Sequence, residues 1–467
     1  MKMIRNCIKK LVNLYHNFHV MKFKIKISFI AICILSIFIN NQLFAQKKMS
    51  LQACIDFAME NSYAVNQKIL EKELNNIQLK SRKTSIAPSL NASIGQAFDF
   101  GRSTLANNTT INTTQATTNL GIGFNMDVFQ GLRTYHQIKS DKLNLQATLF
   151  EIESAKENIE LSVIAHYLQI LLSKDILEVY KAQVELDQEQ VNRIEILVRN
   201  GKNSEAELCA AKSTLATDQL SVVEAENNLR LSKLDLAQLM NFSDITNFDI
   251  ATDNNYDEID EILNKNIDIN MVTNNAFLNR PAIQSALTRI DQAKRIIKVY
   301  QAEWYPTLTF SVTFGTGYFY RFRELADIPN QPAGIQFKNN ARESLGLTLH
   351  IPIFDKLSTF YNVKQQKVNL KLQELQYEES KRKLIKEIEQ AYANAIASKE
   401  KYLASQVANT SSMIAFQYEE IKYNAGSSTN YEFNDAKNRY LKTQSNLIQA
   451  KFDFLFRIKI LEFYGKE

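Results

Sequence analysis

The chain has 467 residues, with 55 Lys and Arg against 50 Asp and Glu, 12 Gly and only 6 Pro. So few helix breakers beside abundant Asn, Gln, Lys, Glu and Leu point to long helices and argue against a string of small globular domains. The formal charge of +5 resides in the leader, where Lys2, Arg5, Lys9, Lys10, Lys22, Lys24 and Lys26 are accompanied by no acid; without them the chain stands near −2, which gives nucleic-acid binding no support.

Residues 1–45 read as a secretory signal peptide. A basic start is followed by an apolar run from Ile27 to Ile39 and then by Leu43-Phe44-Ala45-Gln46, with cleavage after Ala45 and Met21 as an alternative start. The apolar run is too short for a comfortable membrane span. Cys7 and Cys33 leave with the leader, and Cys54 and Cys209 lie too far apart in the pattern to predict a disulfide.

The remainder is written twice. Ala87-Pro88-Ser89-Leu90 returns as Tyr305-Pro306-Thr307-Leu308, 218 positions on, and Leu208, Leu215, Val222, Leu229 and Leu236 return as Phe433, Tyr440, Leu447, Phe454 and Leu461, 225 positions on. This divides the chain into a first repeat at 46–243, an acidic connector at 244–270 and a second repeat at 271–467. Each repeat is predicted to be mainly helical with two strands.

In chain order, a helix over about 50–86 leads to Pro88, after which Leu90, Ala92, Ile94 and Phe98 alternate with Ser89, Asn91, Ser93 and Asp99 as in a half-buried strand. Residues 101–118 are long and polar, like an external loop. Residues 119–129 alternate again, with Leu120, Ile122, Phe124, Met126 and Val128 on one face. A helix over about 132–199 carries Leu149, Val163, Ile170, Leu177, Val184, Val191 and Val198 on one heptad position, a coiled-coil seam. It stops at Gly201, suited to the left-handed C-terminal position, and Ser204 with Glu207 forms a capping-box signature for the returning helix over about 202–240.

The second repeat follows the same order. A helix over about 276–304 precedes strands marked by Leu308, Phe310, Val312 and Phe314 and by Leu345, Leu347, Leu349 and Ile351, with a polar loop over 321–343 between them. Trp304 and Tyr305 lie at one end of the first strand, Tyr318 and Tyr320 at the other, the spacing of a membrane barrel's aromatic girdles. A long helix then ends at Gly426, and Thr429 with Glu432 caps the last one, over about 427–464. Four strands cannot close a membrane barrel, and an open edge in lipid leaves backbone groups unpaired, so the barrel must be shared among chains.

The doubled helix–Pro–strand–loop–strand–helix order, Pro88-Ser89-Leu90, Pro306-Thr307-Leu308, Pro352-Ile353-Phe354-Asp355 and the tip Tyr423-Asn424-Ala425-Gly426 resemble the outer-membrane factor family, the TolC-like channels of efflux pumps and type I secretion. The resemblance covers residues 48–464. It implies a homotrimer with a 12-stranded barrel in the outer membrane above a helical tunnel through the periplasm. It also implies docking of the tips, Gly201, Ser204, Glu207, Gly426 and Thr429, to a periplasmic adaptor that works with an inner-membrane transporter. In the family, carboxylates at the positions of Glu432 and Asp435 line the tunnel entrance.

Glu432 has a local explanation in its capping box, as Glu207 has in the first repeat. Asp435 has none, because its counterpart is Ala210. No catalytic constellation, phosphate loop or metal-ligand spacing is visible: His136, His166 and His350 are isolated, so neither enzyme activity nor a cofactor is predicted. The alternative reading is a structural periplasmic coiled-coil protein, which explains the heptads but not the strands with aromatic ends.

Overall fold

The computed structural model describes residues 48–104, 108, 110–245, 248–251, 263, 268–322 and 329–466. The signal-peptide reading and most of the acidic connector fall outside them. The described part of one small unit is residues 48–49, 244–245 and 248–251; in it Met49 and Ile250 form a parallel bridge, with the Ala251 N–H donating to the Met49 carbonyl at 2.9 Å. Both repeats fold together in the second unit, Ser50–Ser243 with Thr252–Glu467.

The leading helix of each repeat is broken where the sequence predicted continuity. Helices α1 (Leu51–Asn61) and α2 (Tyr63–Thr84) meet at Ser62; α5 (Ile269–Asn279) and α6 (Pro281–Gln301) meet at Arg280, 218 positions later. Arg280 is extended (φ −65°, ψ 121°) because the ring of Pro281 disfavours helical geometry in the residue before it. Its buried guanidinium holds the break, 3.0 Å from Glu157, bonded to the Phe463 carbonyl and lying 4.0 Å from the Phe463 ring centre. Ser62 adopts the same conformation with no proline after it.

Four antiparallel strands form one sheet in the order β1 (Ser89–Thr104), β2 (Thr110–Gln130), β3 (Thr307–Arg321) and β4 (Arg342–His350). The predicted loop over 101–118 is largely strand: β1 and β2 pair in unbroken register from Ser89↔Asn125 to Thr104↔Thr110. Thr and Asn at the turn read as loop by polarity, but β-branched Thr suits a pleated surface that meets water on one side.

β4 pairs with β3 only up to Gly315↔Arg342. Beyond that, the edge of β3 is satisfied by side chains of the following segment and of helix α7 (Ala333–Asn339). Gln336 exchanges both backbone bonds with Phe319, Asn330 does the same with Arg321, and the Asn340 amide donates to the Gly317 carbonyl. Amide side chains thus act as a strand where no strand is present, which protects an otherwise open edge.

Each last strand turns into a helix through two consecutive left-handed residues, Gly131 with Leu132 and Lys356 with Leu357. At Gly131 a Cβ would sit 2.5 Å from the Ala302 carbonyl, so glycine is required there sterically as well as by its φ of +58°. Helices α3 (Arg133–Arg199) and α8 (Ser358–Asn424) follow, each of 67 residues, roughly 100 Å at about 1.5 Å per residue. They return as α4 (Glu205–Leu239) and α9 (Asn430–Gly465). The predicted seam is buried at Val163, Ile170, Leu177 and Val191 and half-buried at Val184, whereas Leu149, on the same heptad position, is 43% exposed. Cys54 is buried in α1, where desolvation pushes its thiol up to about 12; Cys209 is exposed on α4, and both are free.

Candidate functional site

At the first tip the Gly201 N–H donates to the Val198 carbonyl and the Lys202 N–H to Leu197; at the second, Gly426 donates to Tyr423 and Ser427 to Lys422. These are paired bonds of Schellman type, closed by glycines at φ +67° and +75° with open space around both. The returning helices are capped differently. Thr429 and Glu432 form the full reciprocal box: the Glu432 N–H donates to Thr429 Oγ1 at 3.2 Å and the Thr429 N–H donates to Glu432 Oε2 at 2.9 Å. Ser204 accepts from the Glu207 N–H at 3.2 Å, but among the described hydrogen bonds Glu207 does not reach back, so only half of the predicted box forms.

The bonds from the Thr429 N–H and hydroxyl hold the Glu432 carboxyl below the usual carboxylate range, with the Ser428 hydroxyl adding to them. Asp435, one turn on and half-buried, is paired with Arg439 at 2.9 Å. The sequence reading missed that partner, although its i,i+4 spacing was visible.

The tips of the two repeats touch each other. Gln190 donates to the Asn430 side chain at 3.0 Å, Arg193 bonds Asn424 and lies over the Tyr423 ring, and Lys437, 1% exposed, reaches Asp187 at 2.5 Å and Asp218 at 3.8 Å. A contrast between repeats would have exposed part of this. Asp187 and Asp218 stand where the second repeat has Ser412 and Thr443, whose hydroxyls bond each other at 2.5 Å.

The sheet supplies the other functional surface. Its apolar face is in register, Leu90 with Phe124, Ile122 with Phe314 and Phe310 with Leu347, apart from a bulge between Asp127 and Phe129, yet Leu90, Ile94, Leu345 and Leu347 are 63–81% exposed. The opposite face carries Ser, Thr, Asn and Gly, including Ser93↔Gly121 and Ser311↔Gly346. Trp304, Tyr305 and Tyr320 are exposed, while Tyr318 packs against Phe337. From Tyr305 to Tyr318 is roughly 43 Å of strand at about 3.3 Å per residue, or about 33 Å of height at a tilt of about 40°, close to a bilayer's hydrocarbon core of about 30 Å. Among the described residues no helix is long and apolar enough to cross a membrane, and no group of three or more His, Cys, Asp or Glu could hold a metal ion.

An apolar sheet face turned outward, a small polar face behind it and helical hairpins of some 100 Å beneath define a membrane channel subunit with a long helical extension. The model of the outer membrane efflux protein family matches residues 55–241 and 272–455, once per repeat, and the chain belongs to that family. The Campylobacter jejuni CmeC outer membrane channel has the same fold, with a TM-score of 0.72 at 17% identity over 89% of this chain and 85% of that one. The Vibrio cholerae outer membrane protein VceC is similar at a TM-score of 0.70, 15% identity, 89% of this chain and 96% of that one. The toxin and drug export protein A of Aggregatibacter actinomycetemcomitans is 21% identical over 310 residues, 66% of this chain and 64% of that relative's length.

Proposed function

We propose that the protein is the passive outer-membrane duct of an export machine, an efflux pump or type I secretion system. Three copies close a 12-stranded barrel and extend it as a helical tunnel towards a periplasmic adaptor and an inner-membrane transporter. The observation that carries this reading is the exposed apolar face on a sheet of four strands, which has no stable environment except lipid and no closure except with further copies. The names of the relatives, an outer membrane channel and a toxin and drug export protein, point the same way. Light scattering of the purified protein in detergent should give a trimer that conducts in planar bilayers; a stable monomer overturns the reading.

The tips are the tunnel mouth. Gly201, Ser204, Glu207, Gly426 and Thr429 shape the turns that meet the adaptor, and Trp304, Tyr305, Tyr318 and Tyr320 sit at the two membrane interfaces. Glu432 serves its cap first, and Asp435, which no cap engages, is the acid that faces a passing ion. Its pairing with Arg439 makes the ring one of alternating charge. Asp435→Ala should therefore lower cation selectivity and relieve block by a trivalent cation, whereas Arg439→Ala should raise selectivity. Unchanged selectivity in both variants sinks the assignment. Solved relatives include an open state of the Neisseria gonorrhoeae MtrE channel, which supports a mouth able to change width.

A further inference from the structure

The two outer strands of the sheet, β1 and β4, each carry one acid and one arginine near the same end. On the polar face β1 presents Asp99 and β4 presents Arg342; on the apolar face β1 presents Arg102 and β4 presents Glu343, and all four are exposed. Among the described residues no ion pair engages Arg102, Arg342 or Glu343. Glu343 stands opposite Phe314, between Tyr305 and Tyr318 of the two girdles, where an acid without a cation is costly in lipid.

The internal repeat indicates what lies beyond these edges. β1 maps onto β3 by 218 positions, Ser89 onto Thr307; β2 maps onto β4 by 225, because Asn125 pairs with Ser89 and His350 with Thr307. The join of β2 with β3 is therefore the pattern for a join of β4 with β1 of another copy. Asn125↔Ser311, Thr117↔Phe319 and Thr118↔Tyr318 translate into His350 opposite Ser93, Arg342 opposite Gly101 and Glu343 opposite Phe100 of the next copy. The faces then agree: Leu345 and Leu349, both more than half exposed, meet Phe98 and Ile94 on the lipid side.

We propose that copies of the chain join in this one register, fixed by two ion pairs across the seam: Arg342 with Asp99 of the next copy on the lumen side, and Glu343 with Arg102 of the next copy on the lipid side. Each pair is diagonal, two positions from directly opposite, a separation of about 7–8 Å that an arginine side chain spans. A slip by one residue would turn the leucines into the lumen. A slip by two keeps the faces but loses one pair, Glu343 with Arg102 in one direction and Arg342 with Asp99 in the other. Charge and repeat thus select the same register independently. The join inside the chain holds no such pairs: at the corresponding places β2 has Thr117 and Thr118, and β3 has Gly317 and Tyr320. There the chain itself brings the strands together, whereas separate copies have to find their register without a covalent link. The inference rests on reading the sheet as one part of a shared barrel.

The test uses the full-length protein carrying Cys209→Ser, with Cys54 left buried. Oxidation of a His350→Cys, Ser93→Cys variant should link separate chains at least about tenfold faster than His350→Cys with Asn91→Cys or with Gly95→Cys, because a disulfide tolerates little displacement of its Cβ atoms. Without crosslinking, Arg342→Asp or Asp99→Arg alone should reduce the trimer that survives mild SDS by about threefold or more, and the two together should recover most of it. Glu343→Arg and Arg102→Glu should behave likewise. A trimer that links fastest through Asn91→Cys or Gly95→Cys overturns the register, and double variants no better than their singles overturn the ion pairs; the shared barrel stands in both cases. A monomer that links through none of the three pairs overturns the shared barrel as well.

Discussion

The two hairpin tips descend from one pattern and are built from different materials. In the first repeat the helices meet over aliphatic residues, Val191, Ile194, Leu208, Ala211 and Leu215. In the second, the counterparts of Val191, Val198, Leu208 and Leu215 are Phe416, Tyr423, Phe433 and Tyr440, which stack in sequence with ring centres 4.7–5.7 Å apart. The polar sites diverge in the opposite sense: the first repeat holds the two carboxylates that meet the buried lysine and the second a hydroxyl pair. Rings fill the space between helices and place few demands on solvation, whereas buried charges tie the first hairpin to whichever helix supplies the lysine. The second hairpin is thus internally coherent, and Lys437 is the buried charge that joins it to the first, beside the Gln190–Asn430 and Arg193–Asn424 bonds.

The largest effect should come from removing that attachment. Lys437→Met leaves the buried Asp187 and the half-buried Asp218 without their cation and should cost about 3–5 kcal/mol per chain, whereas Lys212→Met, on the exposed counterpart, should stay within about 0.5 kcal/mol. Chemical denaturation of the detergent-solubilised protein measures both, and equal effects would erase the distinction between the tips. Phe416→Ala should cost about 3 kcal/mol by opening the aromatic stack, and the loss should appear as faster hydrogen exchange confined to α8 and α9.

Smaller effects sharpen the comparison at the turns. Gly201→Val and Gly426→Val should each strain a left-handed residue by about 1–2 kcal/mol and weaken crosslinking to an adaptor while the barrel still assembles. Thr429→Ala removes two bonds of the Thr429 hydroxyl, the one it accepts from the Glu432 N–H and the one it donates to Glu432 Oε2, and Ser204→Ala removes only one, so the former should cost more, about 1 kcal/mol, as read by thermal unfolding. The two acids also predict opposite responses to pH. Glu432, with its carboxyl held low, stabilises its tip above the ordinary carboxylate range and loses that contribution as pH falls; Asp218, pushed up, opposes folding above about 6 and ceases to do so as pH falls. Comparing hydrogen-exchange protection of α9's first turn with that around Asp218, at pH 4 and pH 7, should show the two moving in opposite directions.

Much of this architecture was written in the chain itself. Alternation from Leu90 and from Leu308, the heptads of α3 and the paired Gly201 and Gly426 fixed strands, long helices and tips, because a period of 2 or 3.5 and a left-handed turn are properties of local chain geometry. Glu432's place in a capping box was readable for the same reason. The tertiary structure alone decided what those elements do to one another. Ser62 breaks its helix with no proline beside it, Gln336 and Asn330 stand in for a strand against β3, and Lys437 lies buried between residues 250 and 219 positions away. A buried charge is stable only beside its partner, and a partner brought from another repeat leaves no period in the sequence by which it could be found.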